Sequence, residues 1–137
     1  MQVTRNGGSW PQVSPDSKEV YYLAPDGVDV WKVASGGGQE TRVLGPVWAR
    51  KGRGSSRVKF AVVAEGIYFI ETGPGFYKSS SGNSLKFFSF AKGTSKKVSD
   101  VKLQPSNGLS VSPDGRYVLA ALIDPFVCDL MLVENFR

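Results

Sequence analysis

The chain contains no histidine and a single cysteine, Cys128, in 137 residues. The first absence removes every Ser/His or Cys/His nucleophile pair, the usual zinc ligand sets and the commonest general base. The second excludes an intrachain disulfide and any multi-thiolate metal site, and a lone cysteine in an apolar run reads as a small buried residue. No metal and no cofactor is expected. Long apolar runs are also missing: "VLAALI" at 118–123 falls far short of the roughly 18–20 residues that cross a bilayer as a helix. The opening "MQVTRNGGSW" has no basic segment followed by an apolar one, so no secretory signal is read there. The compartment stays open: cytoplasmic by default, periplasmic if a parent protein is tethered to a membrane upstream.

What is present is the material of one folded domain. Hydrophobic residues make up 41% and aromatics 12%, well above the composition of a disordered chain, and the length suffices for a single core. The net charge is +5, but its distribution matters more than its total. Arg50, Lys51, Arg53, Arg57 and Lys59 crowd into "RKGRGSSRVK", separated by Gly and Ser. That pattern reads as an exposed loop. No aromatic residue interleaves with the charges to stack on bases, so direct nucleic-acid binding is not expected.

Two stretches write the same turn: "VSPDS" at 13–17 and "VSPDG" at 111–115. Ser at the first position, Pro at the second and Gly at the fourth suit a type I turn. Ser14, Pro15 and Asp16, and Ser112, Pro113, Asp114 and Gly115, therefore each join two strands. Short β-branched and aromatic runs follow both: "EVYYLA" at 19–24 and "RYVLAALI" at 116–123. The likeness continues in step, with "DVWKV" at 29–33 and "DLMLV" at 129–133. Between them, "GIYFIE" at 66–71 and "LKFFSFAKGT" at 85–94 form a middle copy without the SPD turn. The repeat is thus about 46–51 residues long, with up to four short strands and no capped helical stripe.

Four-stranded units at such a period are the signature of a β-propeller. The expected fold is all-β, about three blades of four antiparallel strands in a single partial propeller domain over 1–137. The blades fall near 5–44, 58–101 and 109–137, and residues 1–4 form a strand completing another blade. Three blades do not close a ring. Either the chain belongs to a longer propeller, or two chains pair as a homodimer completing a six-bladed ring.

The motifs "VSPDS…VYYL…VWKV" and "VSPDGRYVLA…DLMLV" resemble the TolB-like, WD-repeat-like propeller repeat. More narrowly, "GIYFIE", "LKFFSFAKGT", "VSPDGRYVLAALID" and "DLMLVENFR" resemble the C-terminal propeller of bacterial winged-helix transcriptional regulators. The resemblance implies a sensor or interaction module whose DNA-binding domain has no residues in this sequence.

On that reading Asp16 and Asp114 serve their own turns, and Asp29 and Asp129 fix the starts of strands. Tyr21, Tyr22, Trp31, Tyr68, Phe69, Phe87 and Phe88 pack between blades. Trp10 and Trp48, with Arg50, Lys51 and Arg53, are the candidates for an interaction surface. The Gly/Ser-rich segment at 73–84 lacks the lysine and spacing of a phosphate-cradling loop. A non-catalytic propeller that binds a protein partner or a ligand is the leading expectation. An accessory propeller of a prolyl-oligopeptidase-like serine peptidase is the alternative, although no G-x-S-x-G elbow occurs. A carboxylate-based glycoside hydrolase is the third class, with no pairing readable from spacing.

Overall fold

A computed structural model of the chain describes residues 2–47, 60–71, 82–102, 104–123 and 128–133. Strands and turns account for its regular structure, with no helix among the described residues. The chain divides into two compact units, Met1–Ser56 and Arg57–Arg137.

The first unit is one four-stranded meander, β1 (Ser9–Val13), β2 (Glu19–Leu23), β3 (Val30–Ala34) and β4 (Thr41–Leu44). Its central strands are the aromatic and β-branched runs "EVYYL" and "VWKVA", residues whose side chains fit a pleated surface covered by neighbours. The β2–β3 register sets Val20 opposite Val33, Tyr22 opposite Trp31 and Tyr21 opposite Lys32. Leu23, Val30 and Val33 are almost wholly buried, as is Val47 beyond the sheet. Each such side chain contributes about 1.5–3 kcal/mol relative to exposure.

The second unit holds two sheets. One is the four-stranded meander β5 (Phe60–Val63), β6 (Gly66–Glu71), β7 (Asn83–Ser89) and β8 (Thr94–Val101). The other has three strands, β9 (Gln104–Val111), β10 (Val118–Ile123) and β11 (Cys128–Val133), in the order β11-β10-β9. Ile70 and Leu85 of the first pack with Val118, Ala120 and Leu122 of the second, flanked by Tyr68, Val98, Val101, Leu109, Val111 and Val133. Gly66 is fixed by close approach: a Cβ there would lie 2.0 Å from the Phe88 carbonyl oxygen.

Two sequence expectations differ from the structure. Residues 2–4 form no strand, and β1 begins only at Ser9. Within the segment the Gln2 side-chain amide donates to the Thr4 carbonyl, and just after it the Glu40 carboxylate accepts the Arg5 amide and the Asn6 side-chain amide, so the chain entering β1 is held by side chains and not by a sheet ladder. Gly7, at φ 77°, then turns the chain into β1. The third sheet also begins earlier than residue 109, because β9 runs back to Gln104 and sets Pro105 opposite Leu122.

Candidate functional site

The two SPD turns are built alike, apart from one extra amide on Ser112. The Ser14 hydroxyl donates to Asp16 Oδ1 at 2.6 Å, and its oxygen accepts the Glu19 amide at 3.0 Å. Asp16 Oδ1 also accepts the Lys18 amide at 3.1 Å. In the second copy the Ser112 hydroxyl donates to Asp114 Oδ1 at 2.6 Å, and its oxygen accepts the Tyr117 amide at 2.9 Å. The Arg116 amide divides itself between Ser112 Oγ and Asp114 Oδ1, both at 3.1 Å. Each turn closes through the amide of its fourth residue, Ser17 or Gly115, donating to the carbonyl of the first at 2.8 Å. These bonds hold both carboxyl groups below the usual carboxylate range, the serine hydroxyl being the main cause and the backbone amide the next.

A third turn of this kind, "APDG" at 24–27, joins β2 to β3. The Gly27 amide donates to the Ala24 carbonyl at 2.8 Å, and Asp26 Oδ1 accepts the Val28 amide at 3.0 Å. Sequence reading passed over it because alanine stands where the other copies have serine. The tripeptide Pro25-Asp26-Gly27 was the available signal.

Asp29, next in line, faces across the sheet. Its carboxylate receives Arg42 Nε at 2.7 Å and Nη2 at 3.2 Å, a two-pronged pair that raises the guanidinium pKa still further. Gly45 makes room for it, since a Cβ there would stand 2.0 Å from Asp29 Oδ1. Nearer the opposite end of β2, Glu19 accepts Lys32 Nζ at 2.6 Å and the Tyr21 hydroxyl at 2.8 Å. Lys32 is the chief cause that lowers the Glu19 pKa, whereas burial first and Glu19 second raise that of Tyr21. Neither cluster could be foreseen from spacing, because each depends on strand register.

Tyr22 and Trp31, opposite one another on β2 and β3, bury the phenolic oxygen and the indole Nε1, and the indole has no hydrogen-bond partner among the described residues. Burial, with the nearby Glu40 charge second, pushes the Tyr22 hydroxyl up to about 12. Of the candidate surface, Trp10 is 41% exposed and stands in an irregularity of β1, at φ 55°, between the Ser9 and Gln12 register positions. It lies at the β2–β3 turn end of the sheet, where Ser9 pairs with Leu23, whereas Ser14, Pro15 and Asp16 follow the other end of β1. The first unit therefore does not bring these residues together. Trp48, Arg50, Lys51 and Arg53 lie outside the described residues, as does the side chain of Asp129. Among the described residues, no group of three or more His, Cys, Asp or Glu side chains could hold a metal ion. No helix among them is long and apolar enough to cross a membrane.

No family model and no curated protein sequence matches the chain. Solved structures do match it. TolB from Acinetobacter baumannii superposes with a TM-score of 0.64 at 18% identity, over 96% of this chain and 31% of that one. A structure named for TolB, from Agrobacterium tumefaciens, gives 0.68 at 17% identity, over 98% of this chain and 48% of that one. A chain of the nidogen/laminin complex gives 0.59 at 12% identity, over 85% of this chain and 40% of that one. The chain thus spans less than half the length of each of these structures. Together with the three antiparallel sheets, the likeness shows the fold, that of part of a TolB-like β-propeller.

Proposed function

We propose that the chain is a non-catalytic binding or sensing part of a larger β-propeller, and that its parent is a transcriptional regulator with a winged-helix domain upstream. The observation that carries the non-catalytic reading is how the described carboxylates of the first unit and of the Ser112 turn are used. Asp16, Asp26 and Asp114 accept amides of their own turns, Asp29 is paired with Arg42, and Glu19 with Lys32 and Tyr21. A glycosidase-type general acid needs a carboxyl group whose pKa is raised. Here Asp16, Asp114, Glu19 and Glu40 all shift the other way. With no histidine in the chain, a nucleophile would also lack its usual base.

The regulator parent rests on the resemblance of "GIYFIE", "LKFFSFAKGT" and "VSPDGRYVLAALID". The SPDG turns are shared with the accessory propellers of prolyl-oligopeptidase-like peptidases, which is the second reading. An antibody raised against residues 82–102, used to isolate the parent polypeptide from its source, separates the two. The regulator reading expects a parent that is retained on duplex DNA and does not react with a fluorophosphonate probe of serine hydrolases. A parent labelled by that probe overturns the regulator reading. Turnover of glycosides by the purified chain, abolished in Asp114→Asn without loss of folding, overturns the non-catalytic one.

A further inference from the structure

The three sheets have six edge strands among the described residues, and five of them carry a device that discourages the addition of another strand. β1 contains Pro11 and loses register with β2 between Ser9 and Gln12. β4 and β5 are only four residues long. β8 carries Lys96 and Lys97, and its pairing with β7 shifts between Leu85 and Lys86. β9 carries Pro105, and its pairing with β10 shifts between Ala120 and Leu122. Proline, lysine, short length and irregular pairing are the means by which natural sheets blunt an edge.

β11 has none of them. Its six residues, "CDLMLV", contain no proline, lysine or arginine, with Asp129 the one charge, and they pair with β10 without a break from Cys128 to Val133. The surface beside this edge is apolar: Leu132 is 52% exposed, and Leu119, directly opposite on β10, is 38% exposed. Isolated exposed leucines need no explanation, but a cross-strand pair along an edge without such protection does.

The repeat shows what belongs there. Leu119 and Leu132 are the third of three equivalent pairs, after Tyr21 with Lys32 and Tyr68 with Phe87. In the two four-stranded sheets the row continues onto a fourth strand, from Lys32 to Thr41 and from Phe87 to Lys96. In the third sheet no described strand continues it beyond Leu132.

We propose that the outer edge of β11 is a strand-acceptor site, filled in the parent protein by an extended segment of the same polypeptide outside residues 1–137, which pairs antiparallel with β11 and sets an apolar residue beside Leu132. This rests on the propeller reading above, because the row comes from repeat equivalence. The occupant is a strand, since an open edge offers amides and carbonyls that extended backbone satisfies along its length. It belongs to the parent because both complete sheets draw their fourth strand from their own polypeptide, and because the chain spans less than half the length of the propellers it resembles. Its residue beside Leu132 is apolar because leucine stands here in place of Lys32, whose ammonium is met by Glu19, and an exposed leucine gains from an apolar cross-strand neighbour.

Two synthetic peptides test this, one with the sequence of β8, residues 94–101, and one with the same sequence carrying Lys96→Leu. Position 96 is the one that the repeat sets beside Leu132, as Lys96 stands beside Phe87. Each is titrated into the 137-residue chain, followed by nuclear magnetic resonance of the backbone amides. The Lys96→Leu peptide should bind at least about tenfold more tightly than the unchanged one, slow the exchange of β11 amides, and lose its binding when those of its own amides that face β11 are N-methylated. The parent polypeptide, isolated as above, should bind neither, because its own strand fills the edge. A chain with a β-sheet spectrum that does not bind the Lys96→Leu peptide, or binds it away from β11, overturns the acceptor site and leaves the propeller reading standing. A chain without a β-sheet spectrum overturns the propeller reading itself. Equal affinity for the two peptides overturns the apolar position, and a parent that binds as well as the chain does overturns the source of the strand in favour of a separate partner.

Discussion

Ser17 and Gly115 occupy the same position in two copies of one turn, and both are held at positive φ, 60° and 67°. Neither Asp16 nor Asp114 shares that conformation, so the left-handed residue is the fourth of the turn and not the third, which excludes type II. Glycine adopts this conformation freely, whereas an L-residue with a Cβ is disfavoured by about 1–2 kcal/mol. The first turn therefore carries backbone strain that the second does not.

Ser17→Gly should stabilise the first unit by about 0.5–1 kcal/mol, the gain being reduced by the greater freedom of glycine in the unfolded chain. Gly115→Ser should destabilise by about 1 kcal/mol. Urea unfolding of both variants checks the pair. Equal effects of the same sign would show that the two turns are not equivalent.

The Ser112 hydroxyl serves one carboxylate and two amides. Ser112→Ala removes all three contacts and should cost about 1–2 kcal/mol, comparable to the loss of a helix N-cap. Ser14→Ala should cost somewhat less, since among the described residues its oxygen accepts one amide, that of Glu19. Thermal unfolding of the two variants tests both size and order.

Asp16 and Asp114 have depressed pKa values in the folded chain, through bonds from Ser14 and Ser112. A folded-state pKa below the unfolded one gives stability that is present above the unfolded value, near 4, and is lost as pH falls through the folded one. Stability should therefore drop as pH falls below about 4. Replacing both residues with asparagine should flatten that acid limb in denaturant titrations repeated across pH.

Tyr22 behaves in the opposite sense. Its folded-state pKa is raised to about 12 by burial, with Glu40 second, so its contribution is intact below the unfolded value near 10 and disappears as pH rises through 12. Ultraviolet titration should show phenolate formation delayed at this residue, and Tyr22→Phe should remove one late-titrating group.

The all-β class and the SPD turns were legible in the sequence because both are local signals: β-branched and aromatic runs, and a turn tetrapeptide whose residues each have a conformational reason. The turn at Ala24 was hidden by one substitution that left its Asp26 and Gly27 bonds unchanged. Residues 2–4 looked like a strand because "MQVT" has the composition of one, but composition does not disclose that the next residue, Arg5, gives its amide to Glu40, 35 residues on, and not to a neighbouring strand. The Asp29–Arg42 and Glu19–Lys32 pairs lie 13 residues apart in each case. Only the register of β2, β3 and β4 brings them together, and register follows from which faces are buried.

Backbone proton contacts measured by nuclear magnetic resonance test the central claim, that the chain repeats one antiparallel meander with equivalent turns. Contacts should link Val20 with Val33, Tyr68 with Phe87 and Ala120 with Met131, and the Glu19 and Tyr117 amides bonded to Ser14 and Ser112 should exchange slowly. Absence of the Ala120–Met131 contact, or free exchange of Tyr117 while Glu19 is protected, would contradict the equivalence of the repeated sheets and their turns.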